Sequence, residues 1–167
     1  MQVHELPVEK MTRYSQSQMS LFDSGIRVPN VEKIILKDQY RSAPQIVEYI
    51  SDTFYNGKLR SATNVQDLKV PANLKPGITW TDVKPLSGSG ADNINHAEIR
   101  AIVNHFKVLL LEEKYAGHVG FVSPFRAQVM EFERHILEEI PEKVLKKAKF
   151  KAGTVDSFQG DERDLIL

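Results

Sequence analysis

The sequence contains no cysteine. Disulfides and thiolate zinc sites are therefore excluded, and the redox compartment stays open, although an intracellular protein fits. Net charge is missing as well: 22 Lys and Arg balance 22 Asp and Glu. No global field draws the chain to nucleic acid or to a membrane, so any such partner has to be met by a local patch. The longest apolar run, Val108 to Leu111, is far too short to span a bilayer. The opening Met-Gln-Val-His-Glu-Leu-Pro lacks a basic then apolar pattern, so no signal peptide is expected. The five histidines (His4, His96, His105, His118 and His135) show no ligand spacing, and no metal site is expected from them.

Self-sufficient catalytic patterns are absent too. Gly88-Ser89-Gly90 lacks the following Lys and helix start that a phosphate loop requires. No Gly-x-Ser-x-Gly elbow follows a strand, and no Ser-His-Asp set or acid–base carboxylate pair stands out. No internal repeat is visible. What is present is ordinary: 167 residues, 41% hydrophobic and 26% charged, enough for one soluble domain with a proper core.

In chain order, residues 1–30 are polar and irregular, with Ser and Gln frequent between Met11 and Ser20, and read as a lead-in. Val31 to Lys37 has the pattern of a short strand. Ser42 is a candidate N-cap, with Pro44 in the first turn of a helix whose apolar face is Ile46, Val47, Ile50 and Phe54. Asn56-Gly57 ends it. Residues 58–76 read as a connection, Ile78 to Val83 as a strand around Trp80, and Ser87 to Gly90 as a loop. Asn93 or Asn95 caps a long helix ending at Gly117, with Ile94, Ile99, Ile102, Val103, Phe106, Leu109 and Leu110 at helical spacing. His118 to Val122 is a strand, followed by Ser123 as N-cap and Pro124 at the first helical position. The next helix buries Val129, Phe132, Ile136 and Ile140 before Pro141 breaks it. Phe150 to Val155 is a last complete strand, and Leu165-Ile166-Leu167 resembles one cut off midway, so a longer parent is expected. Trp80 and the phenylalanines are most economically core.

Strands alternating with helices of this length predict an α/β fold, a mostly parallel sheet with helices on both faces. Right-handed crossovers then bring the strand ends to one edge, where ligands collect. Three polar strand ends, at 38–42, 123–128 and 154–162, are therefore expected to cluster. Their inventory is Gln39, Tyr40 and Arg41; Ser123, Arg126 and Gln128; Thr154, Asp156, Gln159, Gly160 and Glu162. An arginine at a strand end can reach phosphates held by another domain. Ser, Thr and Gln suit the oxygens of a nucleic-acid backbone. The plain alternative is a set of solvated connections, with Arg41 paired to a surface carboxylate, Tyr40 partly in the core and Asp156 capping its own turn. Lys143, Lys146, Lys147, Lys149 and Lys151 form the only dense basic cluster, either a solvated face or a strand-binding groove.

The segment Gln39-Tyr40-Arg41-Ser42-Ala43-Pro44, with Phe54-Tyr55-Asn56-Gly57-Lys58-Leu59 after it, resembles motif IV of superfamily 1 helicases. It is most similar to the branch of the nonsense-mediated-decay and replication-processing helicases. Val122 to Val129 resembles that branch's Thr-Pro-Tyr-Arg-Ala-Gln segment, and Thr154 to Glu162 resembles its motif V. Ser20-Leu21-Phe22 and the Asn95/Glu98 pair fit the same order. The resemblance runs from about residue 20 to the end and implies a RecA-like second motor domain over residues 31–167, stopping after motif V. By that likeness Arg41 contacts the γ-phosphate of ATP, with Gln39, Tyr40, Gly160 and Glu162 at the nucleotide. Ser123, Arg126, Gln128, Thr154 and Gln159 line a single-stranded DNA or RNA track. The likeness also implies that ATP and Mg2+ sit mainly on an N-terminal RecA-like domain. The Walker motifs and the downstream arginine motif do not occur in this chain, so alone it is expected to be inactive. A degenerate RecA-like interaction module is the alternative, and a plain nucleotide-binding α/β enzyme ranks third.

Overall fold

The computed structural model describes residues 21–84 and 93–167. The chain divides into two units, Met1–Leu36 and Lys37–Leu167. In the described part of the first, Leu21–Ile26 is a short helix, α1, where an irregular lead-in was expected. It gives way to a turn with Asn30 at φ 63° and then to unpaired chain. The strand expected over Val31–Lys37 does not form. Its side chains Ile34, Ile35 and Leu36 are exposed. An apolar run suits a strand, but a ladder also needs a hydrogen-bonding neighbour, and among the described residues none pairs before Lys37.

The second unit is an α/β fold in which every strand pair among the described residues is parallel. Strand β1 (Asp38–Gln39) pairs with β2 (Arg60–Ser61), with Asp38 opposite Arg60 and Gln39 opposite Ser61. Helix α2 (Pro44–Phe54) makes the crossover between them. Its N-cap is Ala43 rather than Ser42, because Pro44 occupies the first helical position and holds its predecessor extended. Asn56 (φ 52°) and Gly57 (φ 69°) end the helix in the left-handed conformation. The buried Ser51 hydroxyl then both donates to Leu59 O and accepts from Leu59 N, each at 3.0 Å, pinning β2 to the helix. That return strand was read as mere connection. The strand expected at Ile78–Val83 is absent for the same reason as the first, and Trp80, expected in the core, is 89% exposed. The loop expected at Ser87–Gly90, like the lead-in before Leu21, lies outside the described residues.

The core belongs to the rest of the unit. Helix α3 (His96–Lys107) is capped by Asn95, whose Oδ1 accepts from Ala97 N at 3.1 Å and Glu98 N at 3.3 Å. Replacing Asn95 by alanine leaves those donors without their acceptor. A loss of about 1 kcal/mol is expected from the urea midpoint, most of it restored by Asn95→Asp. The helix closes as one wide π turn, Val108–Glu112, short of the expected Gly117. Phe106, Leu109 and Leu110 are all buried along this stretch.

Strand β3 (Val119–Val122) lies between β4 (Lys151–Gly153) and β5 (Leu165–Ile166), parallel to both. Helix α4 (Arg126–Glu139) and a short α5 (Glu142–Lys147) cross from β3 to β4. Val129, Phe132, Ile136 and Ile140 are buried as the helical spacing predicts. Phe132 stacks on Phe121 with ring centroids 3.9 Å apart. Phe106 and Phe150, each tilted against Phe132 and edge-on to one another, complete an aromatic centre. No helix among the described residues is long and apolar enough to cross a membrane.

Candidate functional site

Strands that run in one direction open their carboxyl ends on one edge. The second polar loop leaves β3 there. Ser123 is buried, donates its backbone N–H to Gly153 O at 3.2 Å, and accepts from Phe125 N at 3.2 Å through its hydroxyl. Pro124 keeps Ser123 extended, and the hydroxyl closes a local turn, so α4 starts two residues later than expected, with Phe125 at its N-cap. Arg126 is exposed at the first helical position. Gln128 is only 4% exposed, and both ends of its amide are engaged. Oε1 accepts from Asn95 N at 2.7 Å and Nε2 donates to Glu98 Oε2 at 3.2 Å. Gln128 therefore locks the start of α3 to α4 instead of facing outward.

The third polar loop leaves β4, whose strand is shorter than expected at both ends. Thr154 and Val155 lie beyond it, and Asp156–Phe158 makes one 3-10 turn. Phe158 folds back onto the sheet because β3 and β4 present glycines. A Cβ on Gly120 would stand 3.1 Å from the Phe158 ring, and one on Gly153 would collide with Ser157 Oγ. Lys151 Nζ lies 4.8 Å from the ring centroid on one side, and the Arg163 guanidinium 5.9 Å from it. Lys151 also donates to Ser157 O at 2.6 Å and to the Asp161 carboxylate. That hydrogen bond holds the Asp161 carboxyl below its usual range, with Arg163 adding to the effect. Lys151 thus braces both ends of the loop and is not part of a solvated lysine face. Its neighbour Lys146 pairs with Glu142 on α5 at 2.7 Å. Gly160, at φ 84°, faces open space, and Gln159 and Glu162 are exposed.

The first polar loop reaches the third through one contact. Arg41 Nε donates to Glu162 Oε2 at 2.7 Å, across 121 positions of sequence. Tyr40 is 73% exposed. The amide oxygen of Gln39 is buried and finds no hydrogen-bond partner among the described residues. The three polar strand ends are therefore neighbours: the first and third by an ion pair, the second and third by the Ser123–Gly153 backbone bond. Of the predicted nucleotide-side residues the structure joins Arg41 to Glu162, and Thr154, just past β4, is half-buried. Sequence reasoning missed Lys151 and Phe158 as organisers of the third loop. A Lys ten residues before an Asp carries no pattern, and only the bare glycine faces hint that an aromatic ring lies against them.

Chemically, this edge offers the exposed Arg41 and Arg126, the exposed rings of Tyr40 and Phe125, a buried Gln39 acceptor without a partner among the described residues, and an open glycine turn. Among the described residues it offers no phosphate cradle.

The sequence profile of the AAA_12 family, described as an AAA domain, matches residues 17–167. The chain is 27% identical to the DNA polymerase alpha-associated DNA helicase A of Saccharomyces cerevisiae, covering 90% of this chain and 25% of that protein. It is 26% identical to the ATP-dependent helicase NAM7 of the same yeast, over 90% of this chain and 16% of the relative. Against the regulator of nonsense transcripts 1 homolog of Arabidopsis thaliana it is 23% identical, over 89% and 12% respectively. The chain thus spans a quarter or less of the length of these relatives.

Proposed function

The chain belongs to the AAA_12 family, the C-terminal helicase domain of superfamily 1 helicases, and from that premise we propose that it is the second motor half of an ATP-dependent helicase or translocase. Its substrate is single-stranded nucleic acid, and its nucleotide site is completed by an N-terminal RecA-like domain that also carries most of the contacts to ATP and Mg2+. The observation that carries this reading is Arg41: exposed at the end of β1 and held by a carboxylate of the third loop. An arginine so placed can exchange Glu162 for a phosphate oxygen without disturbing the fold.

ATP supplies the free energy of the stroke; the chain's own residues couple it to the strand. Arg41 neutralises charge on the terminal phosphate as an arginine finger. Tyr40 offers its ring to the base, while Gln39, Gly160 and Glu162 border the nucleotide. Arg126 and Gln159, with exposed side chains, and Thr154 contact phosphates of the nucleic acid. Ser123 and Gln128 are buried, and they serve the track by fixing the loop and helix that carry Arg126. Movement along the strand requires that the strand affinity of this domain differ between nucleotide states, since a ligand shifts an equilibrium only through differential binding. The third loop is suited to that coupling because it holds Gln159 at one end and Glu162, the partner of Arg41, at the other.

The test is ATP turnover by the full-length protein with and without single-stranded DNA or RNA. Turnover is expected to rise on adding the strand, and the more effective of the two polymers identifies the substrate. A folded parent that shows no turnover with either would replace the motor with a degenerate interaction module.

A further inference from the structure

Two of the histidines that show no spacing along the chain, His96 and His135, are brought together by packing. His96 opens α3, and Glu131 and His135 lie one turn apart on α4, the helix packed against it. His96 Nδ1 lies 3.8 Å from Glu131 Oε1, and His135 Nε2 lies 3.2 Å from the same oxygen. One ligand atom from each residue falls within 4.8 Å of the other two. We propose that His96, Glu131 and His135 form a binding site for a late first-row divalent cation, zinc(II) above all, with a fourth position open to solvent.

The donor set and its spacing support this assignment. Zinc takes two imidazoles and one carboxylate at about 2.0–2.2 Å in sites that keep an open position, which puts ligand atoms roughly 3.3 Å apart in a tetrahedron. The two measured separations lie on either side of that value, so small side-chain rotations suffice. Imidazole nitrogen also selects zinc, copper or nickel over magnesium and calcium. The two helices do not have to find each other. Gln128, less than one turn before Glu131, accepts from the backbone of Asn95, the residue preceding His96. The third ligand is thereby set over the other two.

A cationic group already occupies this position. Arg134 donates to both Glu131 oxygens, at 2.7 and 3.2 Å, and its Nη2 lies 3.0 Å from His135 Nε2. That hydrogen bond is the main reason the Glu131 carboxyl is held below its usual range. The Nε2 atom of His135 that faces the guanidinium is the atom that would face a metal. Arg134 also donates to Glu138 Oε1 at 2.9 Å, one turn further along α4. It therefore keeps a carboxylate partner when it leaves Glu131. Arg134 is the metal's competitor.

The experiment is a titration of the tag-free chain with cobalt(II), followed by visible absorbance, and then displacement with zinc(II). Saturation at one equivalent is expected, with the intense bands of a four- or five-coordinate ion. His96→Ala and His135→Ala should each weaken binding by at least the roughly 10- to 100-fold that losing an outer-shell partner costs. Arg134→Gln should tighten it. A purely structural ion pair between Arg134 and Glu131 predicts no such gain. Thermal melts of each variant establish that it is folded. The proposal is overturned by a folded chain without saturable binding, by binding indifferent to His96→Ala, or by an Arg134→Gln variant that binds no more tightly than the parent.

Discussion

Replacing Phe132 by alanine is expected to lower the unfolding free energy of the chain by about 3–5 kcal/mol, read as a fall in urea midpoint at unchanged slope. The side chain is fully buried in α4 and stacks on Phe121 of β3. It also touches Phe106 of α3 and Phe150, just before β4, at centroid distances of 6.0 and 6.1 Å. One ring thus joins two helices to two neighbouring strands. Its removal loses the transfer energy of a large apolar group and leaves a cavity that four separate backbone segments cannot all collapse to fill. Aromatic pairs of this kind add about 0.5–1.5 kcal/mol beyond burial. For a domain whose whole stability is on the order of 5–15 kcal/mol, the loss is a large share. Phe125, on the same helix's entry and half exposed, supplies the contrast: its alanine variant should stay within about 0.5 kcal/mol of the parent. Equal effects at the two positions would mean that the aromatic centre is not where the stability resides.

That centre was legible in advance. Val129, Phe132, Ile136 and Ile140 recur at helical spacing, and all four are buried. Asn95 was one of two candidate caps for α3, and the structure selects it. Helix periodicity is local, so it survives translation from sequence to structure. Strand assignment is not local. Val31–Lys37 has the apolar pattern of a short strand and Ile78–Val83 alternates around Trp80, yet among the described residues neither finds a neighbouring strand, and Trp80 stands in solvent. Conversely, Arg60–Ser61 has too little pattern to be noticed and becomes a strand because Asp38–Gln39 lies beside it. The candidate site divides along the same line. That three polar strand ends should be neighbours follows from parallel topology. Which atoms touch does not: the Arg41–Glu162 pair, the Lys151 brace and the histidine pair about Glu131 each join residues distant in sequence or on different elements. Nor does a motif match announce that the Gln128 amide is engaged inside the fold.

Arg41→Ala, made in the full-length protein, is expected to reduce strand-stimulated ATP turnover by about 10³- to 10⁵-fold while leaving single-strand affinity nearly unchanged. The magnitude follows from where an arginine finger acts. Charge develops on the transferred phosphoryl group in the transition state, and a guanidinium supplied there stabilises that charge more than it stabilises bound ATP. The defect should therefore appear chiefly in kcat, with a smaller change in KM. Misfolding is a poor competing explanation, because Arg41 is largely exposed and its one ion pair, with Glu162, joins two solvent-facing side chains. A melt of the variant checks that directly. Arg41→Lys separates charge from geometry: lysine keeps the positive charge but loses the planar fork that meets two oxygens at once, so it should recover only part of the rate. Full recovery by lysine would reduce the role to a diffuse electrostatic one. Turnover unchanged in Arg41→Ala would leave the family assignment standing and remove Arg41 from the nucleotide cleft. The Glu162 contact would then be an ordinary surface pair, and the coupling between the third loop and the nucleotide would have to run through Gly160 or Gln39 instead.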